Sequence, residues 1–235
     1  LALFTSLTAS DSTLVQAVIL AGGQSKRFLA PFSKLLAPLC GRPLITYVPT
    51  ELKKLDIATT LVTSPGNQAL RDVMQEHGLE HVTYAEQTVA LGTGHALACS
   101  RAHWRAQNIL VLNGDSPLTS SDEIQALIDS HQKSGALMTI FASNVSNPFA
   151  TGCGRIINRN GKILIVEQRD CTPEEAKVTL LNVGVYLINT DFLHAHIDKL
   201  TNNNAAKEYY ITDLVQLASE AGGPVNLFEI PFERI

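Results

Sequence analysis

Val15-Gln16-Ala17-Val18-Ile19-Leu20-Ala21-Gly22-Gly23 decides how the rest of the chain is read. A short apolar, β-branched run that breaks at two glycines has the pattern of a buried strand feeding a loop of bare backbone. Bare N–H groups after a strand can approach phosphate oxygens closely, and Lys26 and Arg27 follow with formal positive charge. The run fits neither GxxxxGK[ST] nor GxGxxG, so neither a standard P-loop nor a dinucleotide fingerprint is expected. From the loop alone, a tight turn carrying solvated cations competes with phosphate binding.

Outward from this strand the chain alternates. Helical spacing of apolar residues predicts helices over Pro43–Leu55, Asn67–His77, Gly94–Arg105 and Ser121–Ser134. Between them, Ala58–Thr63, His81–Ala85, Asn108–Asn113 and Leu137–Ala142 read as strands. That rhythm predicts an α/β, Rossmann-like fold with a mostly parallel mixed sheet flanked by helices. At Gly154 the rhythm changes, because Arg155–Ile157 and Lys162–Val166 flank Arg159-Asn160-Gly161, a strong hairpin signal, and an antiparallel insert is expected there. A strand over Leu180–Ile188 and helices over Asp191–Leu200 and Glu208–Ala221 follow, with Gly222-Gly223-Pro224 as the last stop. No hexapeptide repeat that would build a β-helix appears.

Composition narrows the class. A chain of 235 residues with 45% apolar content fills one α/β core, and no run approaches the roughly 18 apolar residues needed to cross a bilayer. Residues 1–14 are expected to be a disordered lead-in to a domain over 15–235, because Leu1–Ser12 lacks the basic start of a secretory signal. Cys40, Cys99, Cys153 and Cys171 form no CxxC pair and no zinc pattern, which points to free thiols and a cytoplasmic location. A net charge of −4 offers no global field for nucleic acid. With no initiator Met and an uncapped end at Phe232-Glu233-Arg234-Ile235, a fragment of a longer chain is expected.

Several residues carry candidate chemistry. Lys34 enters the apolar stretch Pro31-Phe32-Ser33-Lys34-Leu35-Leu36 and reads as a directed phosphate-neutralising lysine or a snorkelling surface one. Asp115 follows the strand end Leu110-Val111-Leu112-Asn113-Gly114, where open α/β sheets bind ligands. It is the leading magnesium ligand, since magnesium needs only one or two carboxylates besides phosphates and water; a turn or helix-cap role is the alternative. Leu91-Gly92-Thr93-Gly94-His95 opens a helix toward a base, ribose or phosphate, with ordinary capping by Thr93 an equal competitor. His95, with no nucleophile beside it, reads as structural. Glu167 and Asn182 put polar groups in buried-looking strands and need partners, which a sugar or local turn bonds would supply.

In order, Leu20-Ala21-Gly22-Gly23 with Arg27 and Lys34, Leu91-Gly92-Thr93-Gly94-His95-Ala96, Gly114-Asp115-Ser116-Pro117-Leu118, Gly152-Cys153-Gly154-Arg155-Ile156, Val166-Glu167, and Leu200-Thr201-Asn202-Asn203-Asn204 through Glu208-Tyr209-Tyr210-Ile211-Thr212-Asp213 resemble the bacterial N-acetylglucosamine-1-phosphate uridylyltransferase domain of the sugar nucleotidyltransferase family. The resemblance implies UTP and a sugar 1-phosphate as partners, Mg²⁺ as cofactor and no nucleic acid or membrane partner, and it leaves homo-oligomers open. It implies that Leu20, Ala21, Gly22, Gly23, Arg27 and Lys34 hold the phosphates. Gln87 reads the uracil, and Gly92, Thr93, Asn113 and Gly114 complete the nucleotide set. Asp115 holds the metal, with a second ligand beyond residue 235, while Gly154, Glu167 and Asn182 bind the sugar. Asn113 replaces a frequent aromatic, Ala90 a frequent Gln and Cys153 a frequent Tyr. Rival readings stand beside this one. The first loop also resembles molybdenum-cofactor guanylyltransferases, a different sugar 1-phosphate is an alternative acceptor, a catalytically weak nucleotide-sugar-binding module belongs to a different class, and a bifunctional enzyme cut after its first half, before an acetyltransferase β-helix, is a further alternative.

Overall fold

The β1 strand, Val15–Leu20, is the axis around which the domain is wound. The computed structural model describes residues 14–23, 28, 32–150 and 152–234. Of the expected lead-in only Leu14 falls within them. Along β1 the side chains alternate between two cores: Ala17 and Ile19 enter one, and Val18 enters the other. This period of two, with both faces buried, is what a central parallel strand requires.

Beyond β1 the chain makes a small ribbon of β2, Pro38–Leu39, and β3, Arg42–Pro43. It then runs through α1, Tyr47–Lys54, β4, Thr59–Thr63, α2, Gln68–Glu76, β5, Thr83–Glu86, α3, Thr93–Cys99, and β6, Asn108–Asn113. Next come α4, Ser121–Ser134, β7, Met138–Asn144, the hairpin of β8, Arg155–Arg159, and β9, Lys162–Val166, then β10, Leu180–Asn189, α5, Thr190–His196, α6, Asp213–Glu220, and β11, Val225–Glu229. The main sheet has the order β11-β7-β10-β6-β1-β4-β5, and β8 joins through β10 with β9 at its side. Pairs β1/β4, β1/β6, β4/β5 and β11/β7 are parallel, whereas β10 runs antiparallel to both β6 and β7. The expected mixed, mostly parallel sheet with an antiparallel insert is the observed one.

The hairpin turn places Asn160 and Gly161 at φ 55° and 81°, the left-handed pair that a two-residue turn needs. Helix α4 begins with a capping box, in which Ser120 and Glu123 satisfy each other's backbone N–H groups. Helix α3 ends earlier than predicted, and a local bond accounts for it. Ser100 turns back to donate to the Leu97 carbonyl at 2.7 Å and accepts from Trp104 Nε1 at 2.9 Å, so α3 stops at Cys99. Strand β11 was not predicted; it adds to the sheet edge in register with β7, Val225 opposite Met138. Cys40, Cys99, Cys153 and Cys171 form no disulfide.

Candidate active site

After β1 the chain moves to β4 and β5 on one side, then crosses to β6 on the other. The C-terminal ends of β1 and β6 therefore flank a topological switch point, the position at which open α/β sheets leave a crevice. Leu20 lies opposite Asn113, and the Gly114 N–H donates to the Leu20 carbonyl at 3.0 Å. A Cβ on Gly114 would meet Ile45 Cδ1 at 2.8 Å and the Leu20 carbonyl oxygen at 3.3 Å. Glycine there lets the β6 end close against β1, and the next residue, Asp115, emerges at the crevice mouth.

Lys34 reaches this mouth from the other side. The Ser33 hydroxyl accepts from the Leu35 N–H at 3.3 Å, and buried Leu35 seats the turn. Lys34 Nζ then donates to Asp115 Oδ2 across 81 residues of sequence. Their side chains keep 42% and 38% exposure, so the pair is open to solvent. Asp115 does not cap the following helix, because Ser120 does. Arg27 lies outside the described residues.

The other wall is built by two glycines and a strap. Gln87 leaves β5 with its N–H bonded to the Thr63 carbonyl at 2.8 Å. Its side-chain Nε2 donates to the Gly92 carbonyl at 3.1 Å and meets His95 Nδ1 at 3.0 Å. Its Oε1 lies 2.9 Å from where a Cβ on Gly22 would sit, so Gly22 leaves room for this amide. Gly92 takes φ 108°, ψ 176°, a conformation essentially reserved for glycine. The strap is Glu208–Ile211. Tyr209 N–H donates to the Leu91 carbonyl and Gly94 N–H to the Tyr209 carbonyl, both at 2.8 Å, while Ile211 N–H donates to Thr93 Oγ1 at 3.1 Å. Asn204 braces it, giving Nδ2 to the Glu208 carbonyl at 2.6 Å and accepting Glu208 N–H at 3.1 Å. These demands hold residues 208–212 out of the predicted helix, which starts only at Asp213. The Thr93 hydroxyl is thus engaged with the strap, and Gly92 is the residue at the cap of α3.

Together these groups enclose a cavity of about 570 Å³. Leu20, Ala21, Gly22, Gly23, Lys34, Gln87, Gly92, Thr93, Asn113 and Asp115 line it; Gly114 acts from behind. Phe28, Arg169 and Glu208 also line it and were not singled out from sequence. Glu208 belongs to a quoted motif, while Arg169 carries no local signal beyond being a lone charge after a strand.

Gly154, Glu167 and Asn182 come together beside the cavity without lining it. Asn182 N–H donates to the Gly154 carbonyl at 2.9 Å, and a Cβ on Gly154 would lie 3.4 Å from Glu167 Oε2. Asn182 already has local partners: its Nδ2 donates to Tyr186 Oη at 2.7 Å and its Oδ1 accepts Gly184 N–H at 3.1 Å. Gly184, at φ 86°, sits in a β10 irregularity and brings the cluster against cavity-lining Asn113, whose Nδ2 is 2.6 Å from a Cβ position there. Glu167 Oε1 accepts from the Thr212 hydroxyl at 3.1 Å. Burial pushes the Glu167 carboxyl up, and nearby Asp170 adds to this. Burial, then Glu167 and Asp170, push Asp213 up to about 6. Asp170 Oδ1 accepts Ala205 N–H at 2.8 Å, while its buried Oδ2 has no hydrogen-bond partner among the described residues. Fully buried Arg155 ties the cluster's frame together, donating to the carbonyls of Pro148 at 2.8 Å and Cys153, and to Gln168 Oε1 at 2.6 Å.

Among the described residues no three His, Cys, Asp or Glu side chains group as a metal cage. A lone open carboxylate such as Asp115 suits a hard cation that takes its remaining ligands from phosphates and water. No helix among the described residues is long and apolar enough to cross a membrane.

Residues 17–206 match the model of the MobA-like NTP transferase domain family. Over 224 residues the chain is 38% identical to the bifunctional protein GlmU of Clostridium novyi (strain NT), covering 93% of this chain and 48% of that one. The bifunctional protein GlmU of Geobacter metallireducens is 37% identical over 212 residues, covering 88% and 44%. The chain thus spans about half the length of the curated relatives it matches. Two solved structures share the fold. A putative glucose-1-phosphate thymidylyltransferase from Bacillus anthracis, in complex with a sucrose, superposes with a TM-score of 0.74 at 22% identity, covering 92% of this chain and 87% of that one. A UDP-glucose pyrophosphorylase complexed with UDP-glucose gives 0.73 at 20% identity, covering 92% and 91%.

Proposed function

The chain belongs to the family of MobA-like NTP transferase domains, and from that premise we propose that it transfers UMP from UTP to N-acetylglucosamine 1-phosphate, releasing pyrophosphate and UDP-N-acetylglucosamine. The observation that carries this reading is the convergence of Gly22, Gly23, Lys34, Gln87, Gly92, Thr93 and Asp115, from five separate stretches of sequence, on one cavity at the switch point. The resemblance of the ordered motifs to N-acetylglucosamine-1-phosphate uridylyltransferase domains supports the choice of nucleotide and sugar, and the similarity to GlmU proteins over about half their length accords with it.

In this mechanism an oxygen of the sugar 1-phosphate attacks the α-phosphorus in line, the bond to the β-phosphate oxygen breaks, and pyrophosphate leaves with that electron pair. No protein nucleophile is needed, so positioning and charge neutralisation dominate. Backbone N–H groups at Gly22 and Gly23, with Arg27, receive the departing phosphates. Lys34 leaves Asp115 to neutralise the reacting phosphate. Gln87 and the Gly92–Thr93 turn hold the base and ribose. Asp115 would hold a magnesium ion, which when bound supplies charge neutralisation and orientation of the phosphates. Beside the cavity, Glu167, Asn182 and Gly154 are the set assigned to the sugar, and Arg169 adds positive charge on the cavity wall.

The test is pyrophosphate release with Mg²⁺, each of the four NTPs and a panel of sugar 1-phosphates. Turnover confined to UTP with N-acetylglucosamine 1-phosphate is expected. Preference for GTP would move the chain toward the guanylyltransferase reading, and tight UTP binding without turnover toward a nucleotide-sugar-binding module.

A further inference from the structure

Gln87 is buried, with only 7% exposure, and its amide has two ends that must be told apart. One end faces the Gly92 carbonyl oxygen at 3.1 Å and His95 Nδ1 at 3.0 Å. A carbonyl oxygen only accepts. An amide NH₂ directed at this end satisfies both partners provided Nδ1 carries no proton. The reverse orientation would set Gln87 Oε1 against the Gly92 oxygen, acceptor to acceptor, in a buried position where unmet hydrogen bonds are costly. Oε1 is therefore left on the side of Gly22, toward the β1 loop, as a fixed acceptor.

We infer that His95, hydrogen-bonded through Nδ1, is a positioning residue that locks the Gln87 amide so that the site presents an acceptor to the base and selects a pyrimidine bearing a ring N–H. The imidazole proton then sits on Nε2; the Cys99 sulfur, one helical turn on, lies 4.0 Å from Nε2 and 3.9 Å from Nδ1. Uracil carries a ring N–H donor where cytosine carries a bare acceptor nitrogen, so a fixed Oε1 attracts the first and repels the second. The inference rests on the uridylyltransferase reading for its choice of base, and on geometry alone for the lock.

Two measurements test it. The first compares KM and kcat for UTP and CTP in the wild type, His95→Leu, His95→Asn and Gln87→Ala. His95→Leu leaves one amide hydrogen unpaired and only the Gly92 carbonyl to set the orientation; the UTP-over-CTP preference in kcat/KM is expected to fall about tenfold, mainly through KM for UTP. Asparagine at 95 returns an oxygen acceptor near the place of Nδ1 and is expected to restore most of the preference. The second measurement reads the ¹⁵N resonances of His95 in the ligand-free protein, where a pyridine-type Nδ1 that shifts in Gln87→Ala is expected. A protonated Nδ1, or a His95→Leu enzyme that keeps the preference Gln87→Ala loses, overturns the lock. A wild type that spends GTP and not UTP overturns the function proposed above, while the nitrogen spectrum still decides the lock.

Discussion

Replacing Gly92 by alanine is the sharpest perturbation of the cavity wall. The residue's φ of 108° with ψ of 176° is a region in which a side chain costs about 1–3 kcal/mol. The added Cβ would also lie 2.6 Å from the Tyr209 carbonyl oxygen and 2.9 Å from its nitrogen, both backbone atoms that cannot swing away. Relief requires the strap to lift, which loses the Tyr209-to-Leu91 and Gly94-to-Tyr209 hydrogen bonds, each a net contribution of about 1 kcal/mol. The expected loss of stability is therefore about 3–5 kcal/mol, a large part of a domain's typical 5–15 kcal/mol. Gly161→Ala is the control, because Gly161 has φ of 81° with nothing within 4 Å of its Cβ position and should lose only about 1–2 kcal/mol. Urea unfolding followed by circular dichroism measures both, and the KM for UTP at a temperature where Gly92→Ala stays folded should rise at least about tenfold. Equal losses in the two variants, with an unchanged KM, would refute the claim that Gly92 exists to admit the strap.

Asp115→Asn should reduce turnover at least about a hundredfold while leaving stability within about 0.5 kcal/mol, because its pair with Lys34 is exposed; normal turnover would remove the metal assignment. His131 bridges Thr139 Oγ1 and Asn108 Oδ1 inside the core, and burial lowers its pKa from 6.5. Below 6.5 the unfolded chain therefore binds the extra proton first, so stability should fall as pH drops from 6.5 toward the folded value, and His131→Gln should flatten that slope in pH-dependent melting curves. Asp213 acts in the opposite sense, since its carboxyl is raised from 3.8 to about 6. Between those values the folded state holds the extra proton, so stability contributed by Asp213 declines as pH rises through the window, by about 1–2 kcal/mol after discounting for solvent screening. Asp213→Asn should lack this decline and melt higher at pH 7; an unchanged profile would show that Glu167 and Asp170 do not burden it.

Much of this architecture was legible because its signals are local. A β-branched run ending in two glycines and a second run ending in Asn113-Gly114-Asp115 announce parallel strands by composition alone, and Asn160-Gly161 announces the insert hairpin. What escaped depends on packing between distant segments. Glu208–Ala221 has helical periodicity, yet its first turn is held extended by Gly92 and Gly94, more than a hundred residues earlier. Strand β11 follows glycines that read as a stop; Gly223 leaves room for the Leu137 side chain, whose Cδ1 lies 2.0 Å from its Cβ position, a contact invisible in sequence. Arg169 enters the cavity only because the hairpin delivers it there.

The Lys34–Asp115 pair shows why long-range placement matters for chemistry. Either residue alone reads equally well as a surface charge. Brought together at the mouth of the crevice, the lysine offsets the carboxylate's charge in the ligand-free protein, which on the proposed function would spare an approaching triphosphate that repulsion. Because both side chains remain more than a third exposed, opening the pair costs no more than about 1 kcal/mol. On the proposed function, incoming phosphates would draw the ammonium away and free the carboxylate for a divalent cation, with two charges already aimed and little energy lost in separating them.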